Sequence, residues 1–258
     1  WSSDVCSSDL DYFAPYKVQA WDKIPDTAKD ADGAYYADYT GIMSVGWNAD
    51  KYGDISSLDD LLDPKFAGTV ALNGKPAEAG AAFNGYLMAN QLAGGDINNL
   101  QPGLDFFKKL KDAGNLTTVD VTNGTIDSGQ TGVVFDWTYN QASYKKELKD
   151  KGMNWKYKTF PKAQVVSYYN QAINKDAPHP AAARLWEEYL YTADAQNLWF
   201  KGGANPVLLD SMKEDGTVDQ ATLKDAITIE GEPVSYTNDD STRITEWLQN
   251  NWDKTIGN

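Results

Sequence analysis

Residues 131–140 read T-G-V-V-F-D-W-T-Y-N, an apolar strand pattern that ends in an acid and an aromatic residue. A second apolar stretch, A-Q-V-V-S-Y-Y-N-Q-A-I, occupies residues 163–173. Each segment passes from a composition typical of a buried strand directly into polar and aromatic side chains. In open α/β sheets, ligands bind in the crevice beyond the carboxyl ends of the strands. The two segments therefore predict a small-molecule site at the ends of two strands.

Strand and helix patterns alternate along the chain, which is typical of an α/β fold with a mainly parallel sheet. Apolar residues with a spacing of three to four predict helices at 54–63, 76–92, 103–113, 140–150, 179–192, 194–201, 206–213, 219–226 and 240–252. Short apolar or alternating runs predict strands at 68–72, 116–121, 133–135, 154–160 and 165–173. Trp186, Trp199, Trp247 and Trp252 lie on helical periods, so we expect them in the core.

The composition, with 41% apolar and 23% charged residues among 258, indicates a globular protein of one or two domains. No run of eighteen apolar residues occurs, so no membrane-spanning helix is expected. The net charge of −14 argues against a nucleic-acid partner, because phosphate binding needs clustered Lys and Arg. His179 is the only histidine, and it lies between prolines, so no zinc site, other metal site or histidine-activated nucleophile is expected, and no cofactor motif is present.

The first ten residues, W-S-S-D-V-C-S-S-D-L, differ in character from the rest of the chain. They are rich in Ser and Asp, lack an apolar period, and all fit one reading frame of a sequencing-library adapter. Residues 1–10 are therefore predicted to be non-native, and no element of the fold is assigned to them. Cys6, the only cysteine, lies in this segment, so no disulfide is expected.

Several segments, in order, resemble one transport family. They include Y-Y-A-D-Y-T-G-I-M-S-V-G-W-N at 35–48, S-L-D-D-L-L-D-P-K-F-A-G-T-V-A-L at 57–72, S-Y-Y-N-Q-A-I at 167–173 and A-Q-N-L-W-F-K-G-G-A-N-P-V at 195–207. Together they resemble the extracellular solute-binding proteins of ABC transporters, and most closely the polyamine, iron and phosphonate group. The resemblance implies the two-lobe fold of type 2 periplasmic binding proteins, with two crossing strands and a ligand held between the lobes.

The resemblance also implies a division of the chain. Residues 11–45 and 168–205 are expected to be the remnant of a first lobe, and residues 46–167 and 206–258 a second lobe. The opening strands and helices of the first lobe are expected to be missing, together with the signal region, so that this lobe is incomplete. The resemblance further implies a periplasmic or extracellular location, with lipid anchoring left open, and a monomer when the protein is full length.

Residue by residue, the resemblance places the ligand contacts at two strand ends and one helix start. Asp136 and Trp137 align with an aromatic ligand contact of polyamine binders, while Ser167 and Tyr169 replace the tryptophan and aspartate that grip amines there. The segment around the start of the second predicted helix supplies acidic contacts in polyamine binders and anion-binding amides in iron binders. The expected ligand-binding residues are Glu78, Ala79, Gly80, Ala81, Asp136, Trp137, Tyr139, Ser167 and Tyr169.

Each of these residues also has a plain structural interpretation. Asp136 could cap the helix that follows it, and Glu78 could be a first-turn partner of a helix dipole. Trp137 and Tyr139 could belong to the core, although an amphipathic ring beside a strand end suits a stacking wall. Consecutive side chains of a strand point to opposite faces, so only one of Tyr168 and Tyr169 can face a site. Tyr169 is chosen by position, with Tyr168 expected in the core.

Two functions from different classes follow. The leading one is a non-enzymatic binding protein that captures a small polar, amine-containing solute, either polyamine-like or zwitterionic, for a membrane permease. Iron(III), phosphonate or a phosphate ester is the alternative ligand in the same fold. The competing class is an acid/base hydrolase that uses Asp136 with a second carboxylate. The single histidine and the family resemblance favour the binding protein.

Overall fold

The computed structural model describes residues 11–229 and 232–257. The predicted non-native segment 1–10 lies outside the described residues. The chain forms two compact units, one of residues 11–41 and 167–228, and one of residues 42–166 and 229–257. The chain passes from the first unit to the second inside a long strand, between Gly41 and Ile42.

The strands are β1 (Tyr36–Asn48), β2 (Val70–Leu72), β3 (Val133–Trp137), β4 (Trp155–Lys158), β5 (Val166–Gln171) and β6 (Asn205–Pro206). The helices are α1 (Ala49–Tyr52), α2 (Gly80–Leu92), α3 (Gln101–Asp112), α4 (Asn123–Asp127), α5 (Thr138–Lys149), α6 (Pro180–Leu190), α7 (Ala193–Lys201), α8 (Leu209–Asp215), α9 (Gln220–Asp225) and α10 (Asn238–Ile256). Short 3-10 helices occupy Trp21–Lys23, Asp26–Ala28, Leu58–Leu62, Pro64–Phe66 and Pro161–Ala163.

The second unit is built on a sheet with the strand order β2–β3–β1–β4. β2 and β3 are parallel, with Val70 opposite Val133 and Leu72 opposite Phe135. All five residues of β3 are buried, which agrees with the continuous apolar run of a strand covered on both faces. The sheet thus brings the carboxyl ends of β2 and β3 to the same edge, and α2 and α5 follow at that edge.

Aromatic side chains form much of the core of the second unit. The ring of Phe107, on α3, lies 5.9 Å from that of Tyr86, on α2, and 5.3 Å from that of Trp252, on α10. Phe135 of β3 packs against the same ring at 5.9 Å. Large aromatic residues bury the most apolar area per side chain. The packing of these four rings therefore holds α2, α3 and α10 together against β3.

The first unit has its own core, in which helices pack on the amino-terminal half of β1. β6 pairs antiparallel with β1, placing Tyr39 opposite Pro206 and Thr40 opposite Asn205. Buried Tyr36 of β1 donates a hydrogen bond from its hydroxyl to Glu187 of α6. Tyr191, at the end of α6, donates to the carbonyl oxygen of Ala37 at 2.7 Å. Side-chain hydrogen bonds therefore fasten α6 to the strand in addition to apolar packing.

The structure differs from the predicted strands, sheet and lobe boundaries in three ways. β1 is antiparallel to β3, β4 and β6, so the sheet is not mainly parallel. Residues 117–121 form no strand, because the pairing with Val70 ends at Leu116 and Thr117, and residues 118–120 are exposed. Residues 206–228 pack in the first unit, whereas the sequence assigned them to the second lobe. The buried side chains of Leu209, Met212 and Val218 account for this, because they join the core of the first unit.

Trp186 is a fourth difference, because it was expected in the core and is 58% exposed. Its helix, α6, directs Glu187 and Leu190 inward instead. The outward face carries Leu185 and Tyr189 together with Trp186. Periodicity identifies the two faces of a helix, but it does not say which one is covered when both carry apolar residues.

Candidate functional site

The carboxyl ends of β2 and β3 meet at one edge of the sheet in the second unit. The parallel pairing of the two strands puts Asn73, which follows β2, next to Asp136 near the end of β3. The side-chain amide of Asn73 donates to Asp136 Oδ2 at 2.8 Å. Strand ends of this kind are where α/β proteins bind ligands. Asp136, which was predicted at a strand end, thus lies at a polar edge of the sheet.

Asp136 is 0% exposed and lies at the centre of a hydrogen-bond network. Its Oδ1 accepts from the backbone N–H of Trp137 at 2.7 Å and from Asn140 Nδ2 at 2.9 Å. Its Oδ2 accepts from Tyr144 at 2.9 Å as well as from Asn73. Burial raises the pKa of the Asp136 carboxyl, and the four hydrogen bonds act in the opposite direction. The carboxylate is therefore occupied by protein donors and ties β2, β3 and α5 together.

Asp136 is not the N-cap residue of α5. The N-cap of α5 is Trp137, whose side chain makes no capping hydrogen bond. Asp136 instead accepts from the N–H of Trp137 and from the side chain of Asn140 on the first turn of α5. It thus holds the start of the helix from one residue before the cap.

Trp137 and Tyr139 form an aromatic pair at this strand end. Their ring centroids lie 6.3 Å apart with an interplanar angle of 16°. Trp137 is 5% exposed and belongs to the core of the unit, whereas Tyr139 is half-buried and packs against that core. Trp137 therefore has mainly a packing role, and Tyr139 is the ring of the pair that reaches the surface.

The amino terminus of α2 supplies the remaining predicted residues of the second unit. Ala79 is the N-cap, and the helix opens with Gly80 and Ala81, without an acidic residue in its first turn. The Glu78 side chain is 71% exposed, and its Oε1 lies 3.9 Å from Lys75 Nζ. Backbone N–H groups at a helix start attract anions, while the Glu78 carboxylate attracts cations. The two features favour opposite ligand charges.

Gly74 allows the chain to turn tightly from β2 into α2. Its φ of +101° lies in the region that favours glycine, and a Cβ added there would lie 2.5 Å from the Cβ of Ala79. The turn thus sets where the start of α2 lies relative to the end of β2.

Ser167 and Tyr169 lie on β5 in the first unit, and the other seven predicted residues lie in the second. The carbonyl oxygen of Ser167 accepts from Thr40 Oγ1 at 2.7 Å. The ring of Tyr169 stacks on that of Tyr39 at 4.8 Å and 10°. Tyr168 is half-buried and packs against the core of the first unit.

Sequence reasoning missed Asp38, a buried acid of β1. Its Oδ2 accepts from Gln171 Nε2 of β5 at 2.9 Å, and its Oδ1 has no hydrogen-bond partner among the described residues. Burial, followed by the nearby Glu187 carboxylate, raises the pKa of the Asp38 carboxyl to about 7. The signal was an acid inside an otherwise apolar and aromatic strand, flanked by Ala37 and Tyr39.

Across residues 11–229 and 232–257, no group of three His, Cys, Asp or Glu side chains is arranged to hold a metal ion. None of the helices in the same ranges combines the length and apolar character needed to cross a membrane.

Solved structures with a similar fold are periplasmic binding proteins. They include AfuA from Actinobacillus pleuropneumoniae with fructose-6-phosphate bound (19% identity, TM-score 0.67, 97% of this chain and 78% of that one). They also include the spermidine/putrescine ABC transporter substrate-binding protein PotD from Streptococcus pneumoniae (14%, 0.69, 96% and 80%). Iron-bound HitA from Pseudomonas aeruginosa is a third (19%, 0.65, 94% and 77%). At these identities the likeness shows the fold alone.

The family assignment comes from the sequence. Residues 8–226 match the model of the bacterial extracellular solute-binding protein family. The comparison with curated proteins found no match. Members of the family are periplasmic, bind small solutes and work with a membrane permease, as transport proteins and not as enzymes. The chain therefore belongs to the bacterial extracellular solute-binding proteins, the solute-binding components of ABC transporters.

Proposed function

We propose that this protein captures a small polar solute that carries an amine, either polyamine-like or zwitterionic, and delivers it to its permease. The observation that carries the proposal is a half-buried aromatic ring at a predicted ligand-binding position in each unit, Tyr139 in the first turn of α5 and Tyr169 on β5. Tyr139 is half-buried beside Trp137, and Tyr169 is half-buried and stacked on Tyr39. Ammonium groups bind to the faces of such rings with about 0.5–2 kcal/mol, depending on exposure.

The contacts of Asp136 determine which carboxylate of the predicted set can attract the amine of the solute. All four of its hydrogen bonds come from protein donors, so we assign it to positioning α5 and Tyr139. Glu78 then supplies the exposed carboxylate of the predicted set, since its side chain is mostly in solvent. The same contacts argue against the hydrolase alternative, because a general acid or base must reach the proton that it transfers.

An anionic solute, such as a phosphonate, a phosphate ester or an iron(III) complex with an anion, is the second candidate. It is favoured by the start of α2, where Gly80 and Ala81 leave the backbone unshielded by acidic side chains in the first turn. The exposed Glu78 carboxylate disfavours it. AfuA has fructose-6-phosphate bound, PotD is a spermidine/putrescine transporter protein and HitA is iron-bound. Both candidates therefore have precedents in the fold.

A charge substitution separates the two candidates. A thermal-shift screen with putrescine, 2-aminoethylphosphonate, fructose 6-phosphate and ferric citrate first identifies a ligand. Glu78→Gln is then expected to weaken an amine by a few-fold and to strengthen an anion, because it removes a negative charge worth roughly 0.5–1 kcal/mol at an exposed site. Glu246→Gln, on the exposed face of α10, is the matched control and should change neither affinity. Stronger putrescine binding by Glu78→Gln would refute the amine proposal.

The remaining proposals concern the oligomeric state of the protein and its attachment to the membrane. We propose that it acts as a monomer, with attachment to the membrane through a lipid anchor as one arrangement. Sedimentation of the purified natural protein tests the first, and mass spectrometry of the membrane fraction for an acylated amino terminus tests the second.

A further inference from the structure

Three aromatic rings of the first unit form a continuous stack. The ring of Tyr39, on β1, lies 4.8 Å from that of Tyr169 at 10° and 4.4 Å from that of Trp199 at 29°. Two rings cannot lie nearly parallel to the same face of a third at these distances. Tyr39 is therefore the middle ring, with Trp199 of α7 on one face and Tyr169 of β5 on the other.

The inner part of the stack is fixed to the body of the unit. Tyr39 lies opposite Pro206 in the β1–β6 pairing, and Trp199 packs against the core of the unit. The turn after α7 is held by a hydrogen bond from Ala204 N–H to the carbonyl oxygen of Trp199 at 3.1 Å. Burial raises the pKa of the Tyr39 hydroxyl to about 12, so this ring stays neutral. Two strands and a helix thus each contribute one ring, and the rings reinforce one another.

We propose that Tyr39 and Trp199 are positioning residues that hold the Tyr169 ring as a flat wall for an apolar or CH-rich face of the solute. The alkyl stem of an amine or the CH face of a sugar fits such a wall. This inference rests on the proposed function, because Tyr169 must face the solute for its orientation to matter. The wall contributes stacking and cation–π attraction.

The test compares affinity with stability in stack variants. Putrescine and fructose 6-phosphate are the probes, and calorimetry gives Kd while thermal unfolding gives Tm. Tyr39→Leu and Trp199→Leu are expected to raise Kd for the bound probe by roughly two- to tenfold, the equivalent of one aromatic pair. Tyr39→Phe keeps the ring and should keep the Kd of the unaltered chain.

A buried aromatic neighbour outside the stack provides the matched control. Phe200 follows Trp199 on α7 and is buried in the same core, but its ring is not part of the stack of Tyr39, Tyr169 and Trp199. Phe200→Leu should lower Tm without changing Kd. If Tyr39→Leu also lowers Tm without changing Kd, while Tyr169→Ala does raise Kd, the positioning role is overturned.

Failure of the proposed function gives a different pattern. If Tyr169→Ala leaves Kd unchanged, or no probe binds the unaltered chain, Tyr169 is not a solute contact for these ligands and the positioning proposal falls with the proposed site. Near-ultraviolet circular dichroism then tests the coupling between the stacked rings independently of ligand binding. Loss of the same aromatic band in Tyr39→Leu and Tyr169→Leu supports the ring coupling, and independent, additive changes contradict it.

Discussion

At the residue scale, Asp136 was predicted as a ligand contact, and its burial and hydrogen bonds support a structural role. The sequence placed an acid at a strand end, and the structure surrounds both of its oxygens with donors from Asn73, Trp137, Asn140 and Tyr144. A carboxylate accepts at both oxygens, whereas an asparagine side chain presents an NH₂ at one of them. Asparagine therefore cannot accept at both positions as the Asp136 carboxylate does.

Asp136→Asn is predicted to lower the free energy of unfolding by about 1–3 kcal/mol, because two buried donors lose their acceptor. Urea denaturation with a fluorescence readout measures the loss. Asp253→Asn, an exposed acid on α10, is the control and should change stability by less than about 0.5 kcal/mol. Equal stability of the Asp136 and Asp253 variants would contradict the network.

Asp38 gives a prediction about pH. Its folded pKa of about 7 lies above the unfolded value of about 3.9. Between these values the folded protein binds the extra proton, so the free energy of unfolding falls as pH rises from about 4 to about 7. Burial also raises the pKa of Glu187, which adds a loss of the same sign. Asp38→Asn is predicted to flatten the decline, by an amount on the order of a few kcal/mol for a buried acid.

Urea denaturation at half-unit steps from pH 4 to pH 8 measures this slope. Asp219→Asn is the matched control, because hydrogen bonds from Thr222 and Lys201 lower the pKa of Asp219 to about 2. Its stabilising contribution is present above the unfolded pKa and is lost as pH falls from about 4 towards 2, outside the measured range. A decline as steep in Asp38→Asn as in the unaltered chain would refute the assignment.

At the element scale, the turn that joins β2 to α2 decides where the start of that helix lies. Gly74→Ala combines an unfavourable φ with a contact to Ala79, whereas Gly216→Ala meets a left-handed φ of +77° with no atom near the added Cβ. We predict that the Gly216 variant costs about 1 kcal/mol and the Gly74 variant at least about 1 kcal/mol more. Thermal unfolding of both proteins checks the order. The reverse order would show that the turn relaxes freely.

The elements also show what local sequence can and cannot predict. The apolar runs at β2 and β3 and the small residues at the start of α2 were visible in the sequence, because burial and helix starts leave local patterns. The direction of β1 was not, because pairing between distant strands has no local signal. The stack of Tyr39, Tyr169 and Trp199 was missed for the same reason, since it joins two strands and a helix far apart in sequence.

At the scale of the whole molecule, the resemblance indicated two lobes joined by crossing strands. The chain does form two compact units and passes between them inside β1, at the start of β5 and between residues 228 and 229. The boundary between residues 228 and 229 could not be read from the sequence, because α8 and α9 join the first unit through contacts with residues distant in sequence, among them core packing and the ion pair of Asp219 with Lys201. The family explains the architecture, but the neighbours' different ligands leave the solute to be decided by the site.

The central claim is that this protein binds a small amine-bearing solute through aromatic side chains, for which Tyr139 and Tyr169 are the proposed contacts. The most direct measurement is calorimetric titration of putrescine into the unaltered chain, Tyr139→Ala, Tyr169→Ala and, as control, Tyr12→Ala, an exposed aromatic outside the proposed site. We predict that each site variant raises Kd by roughly two- to thirtyfold, the equivalent of one cation–π contact, while Tyr12→Ala binds like the unaltered chain. Putrescine binding that is equally tight in all four proteins would contradict the claim, as would no binding by the unaltered chain.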